Sequence, residues 1–265
     1  MTLCVAVIDE NESIHMLSDS TATMNGYHSE IAVKVLPARV RIFDPQETNA
    51  SGDPTVLPTY FDKNYGICFS GSFTGMQILK SYLDIALASI QRWPFYDVSF
   101  SDICSYVQNF YDEVCQRLVS ELHVDLTVDF FFSGLCPTAK VVKLAQFSIS
   151  QNKEDGFETR WHVLPPQPSI YEIGNGDKAF RDVLDSTFCS SLLSAAHASL
   201  GRVINDPSIR SVGGNIQYGR FDEHGDFETF GRLSGHRYYI GGVDINGRPH
   251  SDRNNLITRY SFIES

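Results

Sequence analysis

Apolar residues fall along this chain in two rhythms, and the change from one to the other lays out its elements. The first segment, TLCVAVI (residues 2–8), is short, rich in β-branched side chains and followed by the polar run DENE. A second apolar strand covers residues 13–18, so the two are predicted to form a hairpin turning at Asp9 to Glu12. Strand signals recur at 32–36, 40–43 and 65–70 (YGICFS). Between the last two, residues of about 44–62 carry Pro45, Gly52, Pro54 and Pro58 among Asn, Ser and Thr, the composition of a long surface loop. Then the period lengthens. Met76, Ile78, Leu79, Tyr82, Leu83, Ile85 and Ala86 recur at helical spacing and predict a helix over 74–92, stopped by Pro94. A second helix is predicted over 102–122 with Ser101 as its N-cap.

The strand rhythm returns at 124–135, 140–150, 159–163 and 169–173, the last ending in GNG. Two helices are predicted at 177–186 and 190–205, and strands close the chain at 215–221, 227–233, 237–243 and 258–263. Strands, two helices, strands, two helices, strands is the order of antiparallel sheets with helix pairs packed outside them; strict strand–helix alternation would have indicated a parallel sheet. No repeat or linker interrupts it. The expectation is an α+β fold, one domain over residues 1–265, for which a four-layer αββα sandwich fits best.

Composition narrows the possible partners. Lys plus Arg is 21 against 32 for Asp plus Glu, a formal net charge of -11, and no basic run reverses it locally. Such a surface repels a phosphate backbone and an anionic membrane, so neither nucleic acid nor membrane is expected as a partner. No stretch is apolar enough to cross a bilayer, and the N-terminus lacks the basic segment of a secretory signal, so a cytoplasmic location is expected. The six cysteines are scattered without a CxxC pair and the eight histidines do not cluster at ligand spacing; buried free thiols, no metal and no cofactor are expected.

Five segments in order, TLCVAV, LSDSTAT, AVKV, ICFSGSFTGMQIL and YEIGNGDKAF, resemble the proteasome β-subunit group of N-terminal nucleophile (Ntn) hydrolases, which includes the peptidase subunit of the bacterial ATP-dependent protease. The resemblance runs from Thr2 to about Gly214. It implies the αββα sandwich and cleavage of peptide bonds by a terminal threonine, Thr2, exposed by removal of Met1. Thr2 then supplies hydroxyl and amine from one residue, and an α-amino group of pKa about 7.7–8.0 is a usable base near neutral pH. Lys34 follows Thr2 at the family's own spacing. Asp19 follows one residue later than in the family, the extra residue being assigned to the turn DENE. In this scheme the Lys34 ammonium lowers the pKa of hydroxyl and amine, and Asp19 neutralises the ammonium. Gly71, or Ser72 if the match shifts by one, stands at the oxyanion-hole position.

Other positions depart from the pattern. Asn175 occupies the place of a serine and has no hydroxyl. Ile209 and Val212 stand where the family carries aspartate and serine, with Asp206 and Ser211 nearby. The resemblance further implies a homo-oligomer, a ring or related assembly, acting on peptide or protein substrates, with any ATPase partner on a separate chain. The aromatics Phe95, Tyr96, Phe100, Tyr106, Phe110 and Tyr111 of the first helix pair are either part of that interface or ordinary core. Two alternatives stay open: a non-catalytic structural subunit or pseudoenzyme that keeps Met1, and an amidase or acylase acting on small amides. Alternation in Val33-Lys34-Val35 sets Lys34 opposite its neighbours, which suits a site lysine and an exposed edge equally.

Overall fold

The computed structural model describes residues 2–24, 27–43, 59–91, 97–122, 128–152, 156–209, 211–234, 237–241, 243–244 and 262–264. In chain order its strands and helices are β1 (Leu3–Ile8), β2 (Ile14–Ser18), β3 (Ala22–Met24), β4 (Tyr27–Ser29), β5 (Val35–Phe43), β6 (Thr59–Gly71), α1 (Phe73–Leu87), α2 (Phe100–Leu122), β7 (Val128–Leu135), β8 (Val142–Asn152), β9 (Gly156–Val163), β10 (Ser169–Gly174), α3 (Asp177–Asp185), α4 (Leu192–Ile204), β11 (Gln217–Phe221), β12 (Phe227–Ser234), β13 (Arg237–Ile240), β14 (Val243–Asp244) and β15 (Phe262–Glu264).

The larger sheet runs β10-β1-β2-β11-β12-β13-β14, all antiparallel, with β15 added parallel to β12. The second is the antiparallel meander β5-β6-β7-β8-β9, and β3 and β4 form a separate hairpin. The fold is therefore α+β, with two main antiparallel sheets and four helices among the described residues.

Three apolar clusters account for the strand patterns. On β1, Leu3, Val5 and Val7 pack with Phe180, Ala196 and Leu200 of α3 and α4. The alternate residues Cys4, Ala6 and Ile8 pack with Val35, Cys68 and Phe131 of the second sheet. β1 is buried on both faces, which is why TLCVAVI reads as a continuous apolar run without alternation. On the far face of the second sheet, Ile67, Phe69, Phe130, Phe132 and Phe147 meet Met76, Leu79, Leu83 and Ile103 of α1 and α2. Burying each such side chain contributes about 1.5–3 kcal/mol.

Several boundaries differ from the sequence expectation for identifiable reasons. β5 is one strand through Pro37, because β5 lies at the sheet edge where a missing N–H breaks no ladder. β6 begins at Thr59, inside the stretch expected to be loop; residues 44–58 lie outside the described residues. α1 ends at Leu87 with Ala88 as its C-cap, before Pro94, which also lies outside them. α2 starts two residues earlier than expected. Ser99, not Ser101, caps it: its Oγ accepts from the Asp102 amide at 3.2 Å, and the Asp102 carboxylate accepts from the Ser99 amide at 2.8 Å. The β3–β4 hairpin was not expected. Of the helix-pair aromatics, Phe100 and Tyr111 are fully buried core residues, and Phe95 and Tyr96 are outside the described residues. No helix among the described residues is long and apolar enough to cross a membrane.

Candidate functional site

The residues singled out in the sequence come from five separate parts of the chain, and the ladders bring most of them to one end of β1. Thr2 lies just before β1 and is only 3% exposed. β2 pairs with β1 through Cys4 and Ser18, so the next residue, Asp19, arrives beside the start of β1. There one Asp19 carboxylate oxygen, Oδ1, accepts from the Leu3 amide at 3.2 Å and from the Lys34 ammonium at 2.8 Å. The amide that follows Thr2 and the Lys34 charge are thus held by the same atom.

The other oxygen, Oδ2, accepts from the amides of Thr21 at 3.0 Å and Gly213 at 3.2 Å. Asp19 is wholly buried and Lys34 is 1% exposed, which removes the exposed-edge reading of this lysine. A buried carboxylate persists only when paired and hydrogen-bonded at its remaining lone pairs, and the Lys34 ammonium and three amides supply both for Asp19. Ser18 adds a bond from its Oγ to the Leu3 carbonyl at 2.9 Å.

β10 closes the opposite side. Its last residue, Gly174, pairs with Leu3 and has φ +111. A Cβ on Gly174 would lie 2.0 Å from the Thr2 carbonyl oxygen and 3.1 Å from Ser70 Cβ, so only glycine lets Thr2, β10 and the end of β6 meet. Gly71 ends β6 one residue beyond Ser70, also at positive φ (+99), and leads directly into Ser72, whose Oγ caps α1 by accepting from the Gly75 amide. Gly71 thus follows directly on Ser70, the residue that packs against Gly174.

Asn175 is not part of the buried network. It is exposed on the turn between β10 and α3, one residue beyond the Leu3–Gly174 pair. Nor does Asp206 reach the network: it is exposed and accepts from the Ser208 amide and hydroxyl, at 2.8 and 2.6 Å. Val212 is buried against Gly176. What this loop delivers to Asp19 is the Gly213 backbone N–H.

Gln217 was missed by sequence reasoning. Its side chain accepts from the amides of Lys34 and Val35, and no motif marks it; the only signal is a polar residue inside an otherwise strand-like run. The thiols near the site are packing groups. Burial, reinforced by a hydrogen bond with the Cys4 thiol, pushes the Cys68 thiol well up against the opposing pull of Lys34. Among the described residues no group of His, Cys, Asp or Glu is arranged to hold a metal ion.

No family model and no curated protein matches the chain. Solved structures do. The Anbu complex from Pseudomonas aeruginosa, a helical assembly, superposes with a TM-score of 0.53 at 18% identity over 86% of this chain and 85% of that one. Anbu (ancestral beta-subunit) from Yersinia bercovieri gives 0.52 at 13% identity over 85% and 82%. Anbu from Hyphomicrobium sp. strain MC1 gives 0.53 at 15% over 86% and 84%.

At these identities the likeness is one of fold. It corrects the sequence resemblance: assignment to the proteasome β-subunit and bacterial protease peptidase group of Ntn hydrolases has no family-model or curated support, and the solved structures that this chain resembles include Anbu proteins. The matching segments are short and lie on β1, at the ends of β2, β5, β6 and β10, and at the starts of α1 and α3. The departures fall at side chains, at Asn175, Ile209 and Val212.

Proposed function

We propose that this chain hydrolyses peptide amide bonds with Thr2 as nucleophile, once Met1 has been removed. The observation that carries this reading is the buried Lys34–Asp19 pair hydrogen-bonded to the amide next to Thr2. A buried ion pair adds little stability over well-packed apolar side chains. Its position at the amide next to Thr2 gives it a chemical use once Met1 has been removed.

In the proposed reaction the Thr2 amine takes the proton of Oγ1, which attacks the scissile carbonyl. The Gly71 N–H receives the oxyanion. Collapse breaks the C–N bond, and the amine's proton leaves with the amine product. A water deprotonated by the same amine then attacks the Thr2 ester, releases the acid and restores Thr2. The Lys34 ammonium lowers the pKa of the reacting amine and hydroxyl, Asp19 holds Lys34, and Asn175, on the exposed turn beside the terminus, offers its amide to the amine or the attacking water. No cofactor is needed.

The same reading takes the three apolar clusters as an αββα sandwich of four layers in a single domain, and takes the chain to be a self-associating, cytoplasmic, proteasome-like subunit. The helical assembly of the Pseudomonas aeruginosa Anbu complex and the exposed Tyr82 and Ile85 on α1 support self-association. A second reading, a non-catalytic subunit that keeps Met1, is favoured by the near-complete burial of Thr2 and by the residues at 175, 209 and 212.

Turnover of a panel of fluorogenic peptide amides separates the two. The proposal expects hydrolysis by the wild type and its loss in Thr2→Ala and in Lys34→Ala. Hydrolysis that survives both substitutions, or no hydrolysis by the wild type, sinks it.

A further inference from the structure

Lys34 lies just outside the β5 ladder: its carbonyl accepts from the Phe69 amide of β6 at 3.3 Å, while its own amide is not part of that ladder. It sits in the irregular stretch between β4 and β5, and the β5 ladder begins only at the next residue, where Val35 pairs with Cys68. Its amide is instead bonded to a side chain. The Gln217 carboxamide oxygen accepts from the Lys34 N–H at 2.8 Å and from the Val35 N–H at 3.2 Å. The Gln217 amide nitrogen donates to the Ala32 carbonyl and, at 3.2 Å, to the Gly241 carbonyl. Two donors meet the oxygen and two acceptors meet the nitrogen, so the orientation of the amide is fixed by its surroundings. The residue is 4% exposed.

The same residue also touches the other half of the pair. In the β2–β11 ladder Gln217 lies opposite Ser18, the residue before Asp19. Its backbone is thus registered to the Asp19 strand while its side chain grips the Lys34 segment from residue 32 to residue 35. A glutamine that merely finished a sheet corner would satisfy neighbouring strand ends; this one spans the two elements that carry the ion pair.

The geometry points to Gln217 as the positioning residue that sets Lys34 against Asp19 and Thr2. This rests on the reading of Thr2 as nucleophile. Gln217 touches no reacting atom, and its contribution is to keep the ammonium where it lowers the pKa of the Thr2 amine. Two variants test it. Gln217→Met keeps the bulk and removes all four bonds; Gln217→Glu keeps the acceptor for the Lys34 and Val35 amides.

In Gln217→Met, hydrogen exchange should speed up at the Lys34 and Val35 amides and stay unchanged at Leu3 and Thr21, which Asp19 holds. Turnover should fall about 100-fold, the scale expected of a misplacement near 1 Å, with KM little changed. The acid limb of the pH profile should move to higher pH, because an amine without a nearby cation holds its proton more tightly. Gln217→Glu should restore the exchange protection and most of the turnover.

A folded Gln217→Met with unchanged turnover and pH limb overturns the proposal, as do Lys34 and Val35 amides that remain protected. Should Gln217→Met fail to fold, the Glu variant decides: protection retained and turnover lost would also overturn it. Absence of wild-type turnover, by contrast, overturns the reading of Thr2 and the catalytic half of this one. The exchange measurement then still decides whether Gln217 holds Lys34.

Discussion

Asp19 accepts four N–H groups with two oxygens, one of them the Lys34 ammonium, and no part of it is exposed. Asp19→Asn removes the charge and leaves the ammonium buried without a partner. Breaking a buried pair from one side costs about 3–5 kcal/mol. In a chain of this size that lowers the melting temperature by roughly 10 °C, and thermal unfolding followed by circular dichroism measures it. An unchanged melting temperature would mean the pair is not held as described. At this scale the sequence was half legible. The family resemblance selected Asp19 and Lys34, but alternation could not tell a buried lysine from an edge lysine, because both point away from Val33 and Val35. The partners that decide the matter are the backbone of Gly213 and the side chain of Gln217, both nearly two hundred residues away in the chain.

The β1–β2 hairpin carries a second polar group of its own, at the end of the strands away from Thr2. Asp9 Oδ1 accepts from the amides of Asn11 and Ser13 and so closes the turn, while Oδ2 lies 3.1 Å from His15 Nε2. His15 Nδ1 lies 2.8 Å from the Tyr218 hydroxyl on β11. Next to this cluster, Glu10 accepts from the Leu192 amide and ties the same turn to the start of α4.

Burial, helped by the charge of Arg220, moves the His15 pKa below its ordinary value, against the pull of Asp9. The unfolded chain then binds the proton more tightly than the native one. Stability from this group is full above about pH 6.5 and is lost as pH falls from there through the lowered native value. Unfolding midpoints measured from pH 8 to 5 should therefore fall on the acid side, and His15→Gln should remove part of that fall. His197, whose pKa burial also lowers, contributes to the remainder. An acid-side slope identical in wild type and variant would contradict this.

Elements with local signals were the legible ones: the DENE turn, the start and period of α1 and the run at 177–185 all sit where the sequence predicts them. Those fixed by distant pairing were not. β5 continues through Pro37 because of where the edge of the sheet falls. The β3–β4 hairpin is too short for its pattern to stand out.

For the molecule as a whole, the order of elements was sufficient to predict two antiparallel sheets with helices in pairs. It could not separate a shared fold from family membership. Motif-like segments at the end of β6 and at Gly174 are demanded by close approach and positive φ, and a fold can impose such glycines on chains that share no chemistry. The proposed self-association belongs to this scale. Light scattering on the purified chain should give a mass that is a multiple of the 29.7 kDa protomer. A protomer mass at micromolar concentration would count against it. The net charge of -11 argues for no particular substrate and is a property of the surface.

The central claim is that Thr2 begins the working protein and that its hydroxyl is the nucleophile. Mass analysis of the N-terminal peptide, after treatment with a β-lactone that an N-terminal threonine opens to an ester, tests both parts together. The account predicts a peptide that begins at Thr2 and carries the full mass of the lactone on that residue. An N-terminal peptide that begins at Met1, or one that begins at Thr2 and stays unmodified while the protein is folded, would contradict it.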